Sequence, residues 1–175
     1  MNPNVEKLFN ELSKYEKEGT DSMAWAEYDC QLIDEKIAGN FTENDWSDVD
    51  KFWKSKSNNI KSLLTHHLHL SDLNSAKIQL KILTNMVMTE SEEVAFEALR
   101  QISFCFVTSG FDSINNCYYS EKSLKGIFHS KDCLLLINQY FDSSFINKVK
   151  SISEGCSESW KNEFLEFLKI IKNAE

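Results

Sequence analysis

Apolar residues recur at three- and four-residue steps through most of this chain, and that spacing predicts helices. The clearest stretch is Ser75 to Ser109. Ala76, Leu80, Leu83 and Val87 form one stripe, and Ala95, Ala98, Leu99, Ile102 and Phe106 form a second, so two amphipathic helices follow each other as a hairpin. Between them Thr89-Glu90-Ser91-Glu92 fits a capping box. The Thr89 hydroxyl would accept from the N–H of Glu92, and the Glu92 carboxylate would accept from the N–H of Thr89.

The same pattern carries through the rest of the chain. Asn4 to Lys17 predicts a short helix with Val5, Leu8, Phe9, Leu12 and Tyr15 on its apolar side. Ser22 to Ala38 predicts another, with Ala26, Cys30, Ile33 and Ile37 on one stripe, Trp25 and Leu32 widening it, and Gly39-Asn40 as a left-handed stop. Thr42 reads as an N-cap with acids in the first turn, and Phe41 and Trp46 are spaced for a hydrophobic staple. Helices are also expected from Asn58 through Leu68, over Lys131–Phe141, over Phe145–Ile152 and over Ser159–Ile171. Gly110 to Ser120 is rich in Asn, Ser and Tyr, without periodicity, and reads as a loop or irregular helix. Starts near Thr42, Ser75, Phe111 and Ser144 are about 33 to 36 residues apart, the length of a helical-hairpin repeat. The expected architecture is an all-α single domain of stacked antiparallel hairpins. Residues 1–40 hold N-terminal helices, 41–109 the best-defined hairpins and 110–175 less regular helices.

Composition strengthens this picture. One proline and five glycines leave few breakers, and 42% hydrophobic residues in 175 supply a core. The five cysteines are scattered, with no C-x-x-C pair, so neither a disulfide framework nor a zinc ribbon is indicated. No apolar run is long enough to span a bilayer, and Met1 to Lys7 lacks a signal-peptide pattern, which together predict a cytoplasmic protein. The net charge of −8 argues against nucleic acid or an anionic membrane as partner and favours a basic one. Acid is concentrated, with thirteen acids and six bases in residues 1–54 against one acid and four bases in residues 55–89.

Candidate chemistry is sparse. His66-His67-x-His69 is the most metal-like cluster, yet a zinc site takes three or four ligands, the nearest acid is Asp72, and no cysteine lies close in sequence. The sequence therefore assigns no metal and no cofactor. There is no nucleophile motif and no glycine-rich phosphate loop, and the paired carboxylates read as solvated helix faces, so no catalytic residue is assigned. The candidate contacts to a protein partner are Glu43, Asp45, Asp48 and Asp50 on one helix and Glu92, Glu93 and Glu97 on another. Trp53 joins them because it follows Phe52 and the two cannot point the same way, and Tyr118 and Tyr119 join as loop tyrosines. Arg100, the one arginine, is expected to anchor a local ion pair.

The Thr42-Glu43-Asn44-Asp45-Trp46 helix start, the helix with Leu63-Leu64, and Thr89-Glu90-Ser91-Glu92-Glu93-Val94-Ala95 leading to Ala98-Leu99 resemble HEAT-like helical repeats. In particular, the stretch from about Ala24 to Phe106 resembles the small acidic helical-repeat immunity proteins of bacterial contact-dependent inhibition and polymorphic toxin systems. The resemblance implies a binding protein without catalysis, kept in the cytoplasm to neutralise a cognate toxin domain. Because nuclease toxins hold phosphates with basic surfaces, the acidic helices point to a basic nuclease as partner. The rival expectation is a helical scaffold or regulatory adaptor for a cellular protein or peptide. A third, a metal-dependent enzyme built on His66, His67 and His69, requires a stoichiometric metal. Oligomeric state is left open.

Overall fold

The computed structural model describes residues 2–18, 25, 29–70, 73–115 and 138–172, with the backbone alone at 73–74 and 106–115. Every regular element among the described residues is helical, so the chain is all-α there. It divides into two compact units, Met1–His69 and Leu70–Glu175.

In the first unit α1 (Pro3–Ser13) begins where the Asn2 side chain accepts from the N–H of Asn4 at 2.9 Å. Pro3 takes the first helical position, whose missing N–H would find no partner in the helix anyway. Val5, Leu8, Phe9 and Leu12 are buried, and through them α1 packs on α3 (Glu43–Phe52) and α4 (Asn58–Thr65). The helix stops at Ser13, short of the predicted Lys17, with the Ser13 hydroxyl donating to the Phe9 carbonyl at 2.7 Å and residues 14–18 in turns. At the start of α3 the expected cap is present: Thr42 and Asp45 form a capping box, and the Phe41 and Trp46 rings lie 5.1 Å apart.

The predicted Ser22–Ala38 helix is regular over Cys30–Lys36 (α2), while 19–24 and 26–28 lie outside the described residues. Ile33 is buried, but Leu32 is exposed and does not widen the apolar stripe. Gly39 is not a left-handed stop. It lies in a 3-10 turn, Ala38–Asn40, where a Cβ would stand 2.6 Å from the backbone carbonyl oxygen of Asp34. Glycine is needed there for close approach. The Ser57 side chain caps α4, accepting from the N–H of Ile60, and Ile60, Leu63 and Leu64 are buried.

The second unit is built on α5 (Leu73–Thr89) packed along α6 (Glu92–Asn115), the hairpin expected from the two stripes. Ala76, Leu80, Leu83 and Val87 are buried on one helix, and Ala95, Ala98, Leu99 and Ile102 on the other. The turn between them differs from the capping box. Thr89 ends α5, its hydroxyl donating to the Asn85 carbonyl at 2.8 Å, and the Ser91 carbonyl accepts from the N–H of Ala95 at 2.8 Å, so Ser91 holds the cap position. The α6 helix runs on to Asn115, so the first half of Gly110–Ser120, expected as a loop or irregular helix, continues α6 and no new helix begins at Phe111. Residues 116–120, and the Lys131–Phe141 helix up to 137, lie outside the described residues.

The α7 helix (Ser143–Glu154), capped by the Asp142 side chain on the N–H of Phe145, packs on α5 and α6. The last helix, α8 (Glu158–Lys172), packs on α6 and α7 through Phe164, Phe167, Leu168 and Ile171. Phe141, Phe145 and Phe167 meet edge to face or tilted, and Phe96 meets Trp160 and Phe164 edge to face while those two rings stack. Ahead of α5, buried Leu70 sits in the left-handed region (φ 52), its N–H donating to Gln79 Oε1 at 2.9 Å.

Candidate functional site

The fold sorts the expected contact residues by what already engages them. Asp45 is buried; it accepts from the N–H and hydroxyl of Thr42 (2.8 and 2.6 Å) and from the Asn2 side-chain amide at 2.6 Å. Asp48 accepts from the Asn2 N–H and from Lys51 at 2.7 Å, and Asp50 from the Trp53 indole at 3.4 Å. Trp53 is wholly buried, its partner position Phe52 half-buried, so Asp45 and Trp53 are corrected from surface contacts to parts of the interior. Asp45 completes the helix cap and is covered by Asn2 and Asn4 from the start of α1, and Trp53 lies in the 3-10 turn that ends α3. Glu97 pairs with Arg100 at 3.3 Å, and the Arg100 guanidinium lies 5.7 Å over the Trp160 ring, the local anchor expected of this arginine.

Glu43, Glu92 and Glu93 remain. Each is exposed and engaged by no cation among the described residues. Glu92 also lines a hollow of about 250 Å³ between α6 and α7, whose wall includes Phe96, Lys148 and Ile152. Tyr118 and Tyr119 lie outside the described residues.

A second polar cluster in the first unit joins α2 to the turn after α4. Asp34 Oδ1 lies 2.6 Å from His67 Nδ1, and Asp34 Oδ2 lies 2.7 Å from His69 Nε2. A carboxylate accepts and cannot donate, so His67 Nδ1 and His69 Nε2 carry the protons of these bonds. Cys30 is one helical turn before Asp34 on α2, which puts both side chains on one face. The Cys30 sulfur, an Asp34 oxygen and a His67 ring nitrogen all lie within 4.8 Å of one another. The His67 ring is fully buried and stands perpendicular to Trp25, with 5.4 Å between centroids. Its Nε2 is buried with no hydrogen-bond partner among the described residues.

Burial opposes ionisation of Asp34, but the hydrogen bonds and charge of His67 and His69 outweigh it and hold the carboxyl down at about 2. Burial, reinforced by the Asp34 charge, pushes the Cys30 thiol up to about 12. A thiol held in that form is a poor nucleophile at neutral pH. Nearby, Tyr15 packs on Trp25 and donates to Asp29; burial and that bond push its phenol up to about 12. Chemically the cluster is a fixed carboxylate between two imidazoles, with a thiol beside it: a sulfur, nitrogen and oxygen donor set.

Comparison of the chain with protein-family models, with curated proteins and with solved structures finds no match. No helix among the described residues is long and apolar enough to cross a membrane.

Sequence reasoning reached His67 and His69 but not their partners. Asp34 lies 33 residues before His67, and nothing in local spacing pairs them. Two positions apart in sequence, His67 is buried and His69 exposed. The one usable signal was Cys30 and Asp34 at a four-residue step on a helix otherwise read by its apolar stripe.

Proposed function

We propose that the protein acts by binding another protein, as an immunity-type inhibitor that covers the substrate-binding or active surface of a basic, nuclease-type bacterial toxin domain in the cytoplasm, without catalysis of its own. The observation that carries this reading is the set of exposed acids Glu43, Glu92 and Glu93, engaged by no cation among the described residues, on a chain of net charge −8. Carboxylates left in water at helix starts attract a cationic surface over a Debye length and raise its association rate. The hollow beside Glu92, with Phe96 and Ile152 in its wall, offers an anchor point for a partner side chain. In this reading the hairpins α5–α6 and α7–α8 are units of a HEAT-like stack that displays its acidic helix starts.

The test is co-expression with the C-terminal domain of a secreted toxin encoded beside the gene. Growth rescue by the wild-type chain, with a stable complex on purification, is the expected result. Reversing Glu43, Glu92 and Glu93 to lysine together should slow association about tenfold or more at low salt and flatten its salt dependence. An absence of rescue, or an association rate equally insensitive to salt in wild type and variant, overturns the reading.

A further inference from the structure

We propose that Cys30, Asp34 and His67 form a binding site for a borderline-soft divalent cation of the zinc class, with His69 holding the carboxylate in place.

The donors decide the class of ion. A thiol sulfur, an imidazole nitrogen and one carboxylate oxygen suit Zn²⁺ and its spectroscopic stand-in Co²⁺, whereas Mg²⁺ and Ca²⁺ take oxygen ligands and leave sulfur alone. Tetrahedral zinc with bonds of about 2.0 to 2.3 Å sets its ligand atoms about 3.3 to 3.8 Å apart. The three atoms here already lie within 4.8 Å of one another, so the ion needs shifts on the order of 1 Å. Asp34 has two oxygens and two imidazoles. If Oδ1 turns from His67 to the metal, Oδ2 keeps its 2.7 Å bond to His69, a partner that fixes the carboxylate's orientation. Part of Asp34 and nearly half of His69 are exposed, which gives the ion a path in and a water the fourth position.

In the metal-free chain His67 Nδ1 donates to Asp34, and Nε2 is buried without a hydrogen-bond partner among the described residues. On binding, Nδ1 gives its lone pair to the metal and the ring proton moves to Nε2, while the Cys30 thiol releases its proton to solvent and binds as thiolate. The ion would tie α2, a helix of 7 residues, to the turn after α4. This site is independent of the acidic helix starts and of any toxin partner.

The full-length protein, loaded with Zn²⁺ and desalted, should retain about one metal per chain by mass spectrometry of the elements. Loaded with Co²⁺ instead, it should show a sulfur-to-cobalt charge-transfer band in the near ultraviolet with the visible bands of tetrahedral cobalt. Cys30→Ser, a near-isosteric change, should abolish the charge-transfer band, and His69→Gln should weaken affinity about 10- to 100-fold. As a check that needs no variant, Zn²⁺ should slow alkylation of Cys30 in the wild type, followed by peptide mass spectrometry. No retained metal, a charge-transfer band that survives Cys30→Ser, or Cys30 alkylation indifferent to Zn²⁺ each overturns the assignment.

Discussion

Asp45 shows how one side chain can be read correctly as acid and wrongly as surface. Its place three residues after Thr42 marks a helix start, but Asn2 and Asn4 reach it from another helix and enclose it. Burial raises its carboxyl, and the bonds from Thr42, Asn4 and Asn2 outweigh that and hold it below the ordinary 3.8. A carboxyl lowered on folding contributes stability that is present above its unfolded value and lost as pH falls below it. Asp45→Asn should therefore cost about 1 to 2 kcal/mol near neutral pH and make the loss of stability on acidification, from about pH 4 downward, less steep. Chemical denaturation across pH measures both; a variant whose acid profile parallels wild type would show that Asp45 titrates alike folded and unfolded. Gly39 is the other residue whose role changed, since its neighbour across space, the Asp34 carbonyl, leaves no room for a Cβ.

Among the elements, periodicity was legible wherever a stripe was three or four residues wide and flanked by polar positions. The α1, α3, α4, α5, α7 and α8 helices all bury residues their spacing selected. Boundaries were less legible because they depend on which hydroxyl or carbonyl wins a local competition. At the α5–α6 turn Thr89 bonds back to Asn85 and yields the cap to Ser91. Past Gly110 the helix continues although glycine costs it about 1 kcal/mol relative to alanine, so composition alone could not choose between loop and helix there. The entry to α5 depends on a feature without sequence signature: Leu70, with positive φ, is held by Gln79, which also donates to the Ser75 hydroxyl at 3.1 Å. Gln79→Met keeps the length and removes the acceptor, leaving a buried N–H unsatisfied, and should destabilise the chain by about 1 to 3 kcal/mol in urea titration. A change under about 0.5 kcal/mol would mean that Leu70 finds another acceptor.

For the molecule as a whole, charge is the dominant electrostatic feature. The ion pairs Lys14–Glu11, Lys51–Asp48, Arg100–Glu97 and Lys169–Glu166 join residues three apart on exposed or partly exposed faces, where each contributes little. Self-repulsion at −8 should then outweigh them. Raising ionic strength to about 0.15 M, where the Debye length is about 8 Å, should raise the thermal midpoint of the isolated protein. A midpoint that falls with salt would show that attractive pairs dominate instead.

The sequence by itself determined what depends on near neighbours: helical class, the apolar faces, the start at Thr42 and the excess of acid, because a 3.6-residue period and a net charge are properties of the chain read in order. Only the tertiary structure decided what depends on distant residues meeting. It enclosed Asp45 and Trp53, left Glu43, Glu92 and Glu93 in water, and brought Cys30 and Asp34 to His67 and His69. The physical reason is that burial and hydrogen bonding of a polar group are set by what packs against it. For Asp34 those partners lie more than thirty positions along the chain.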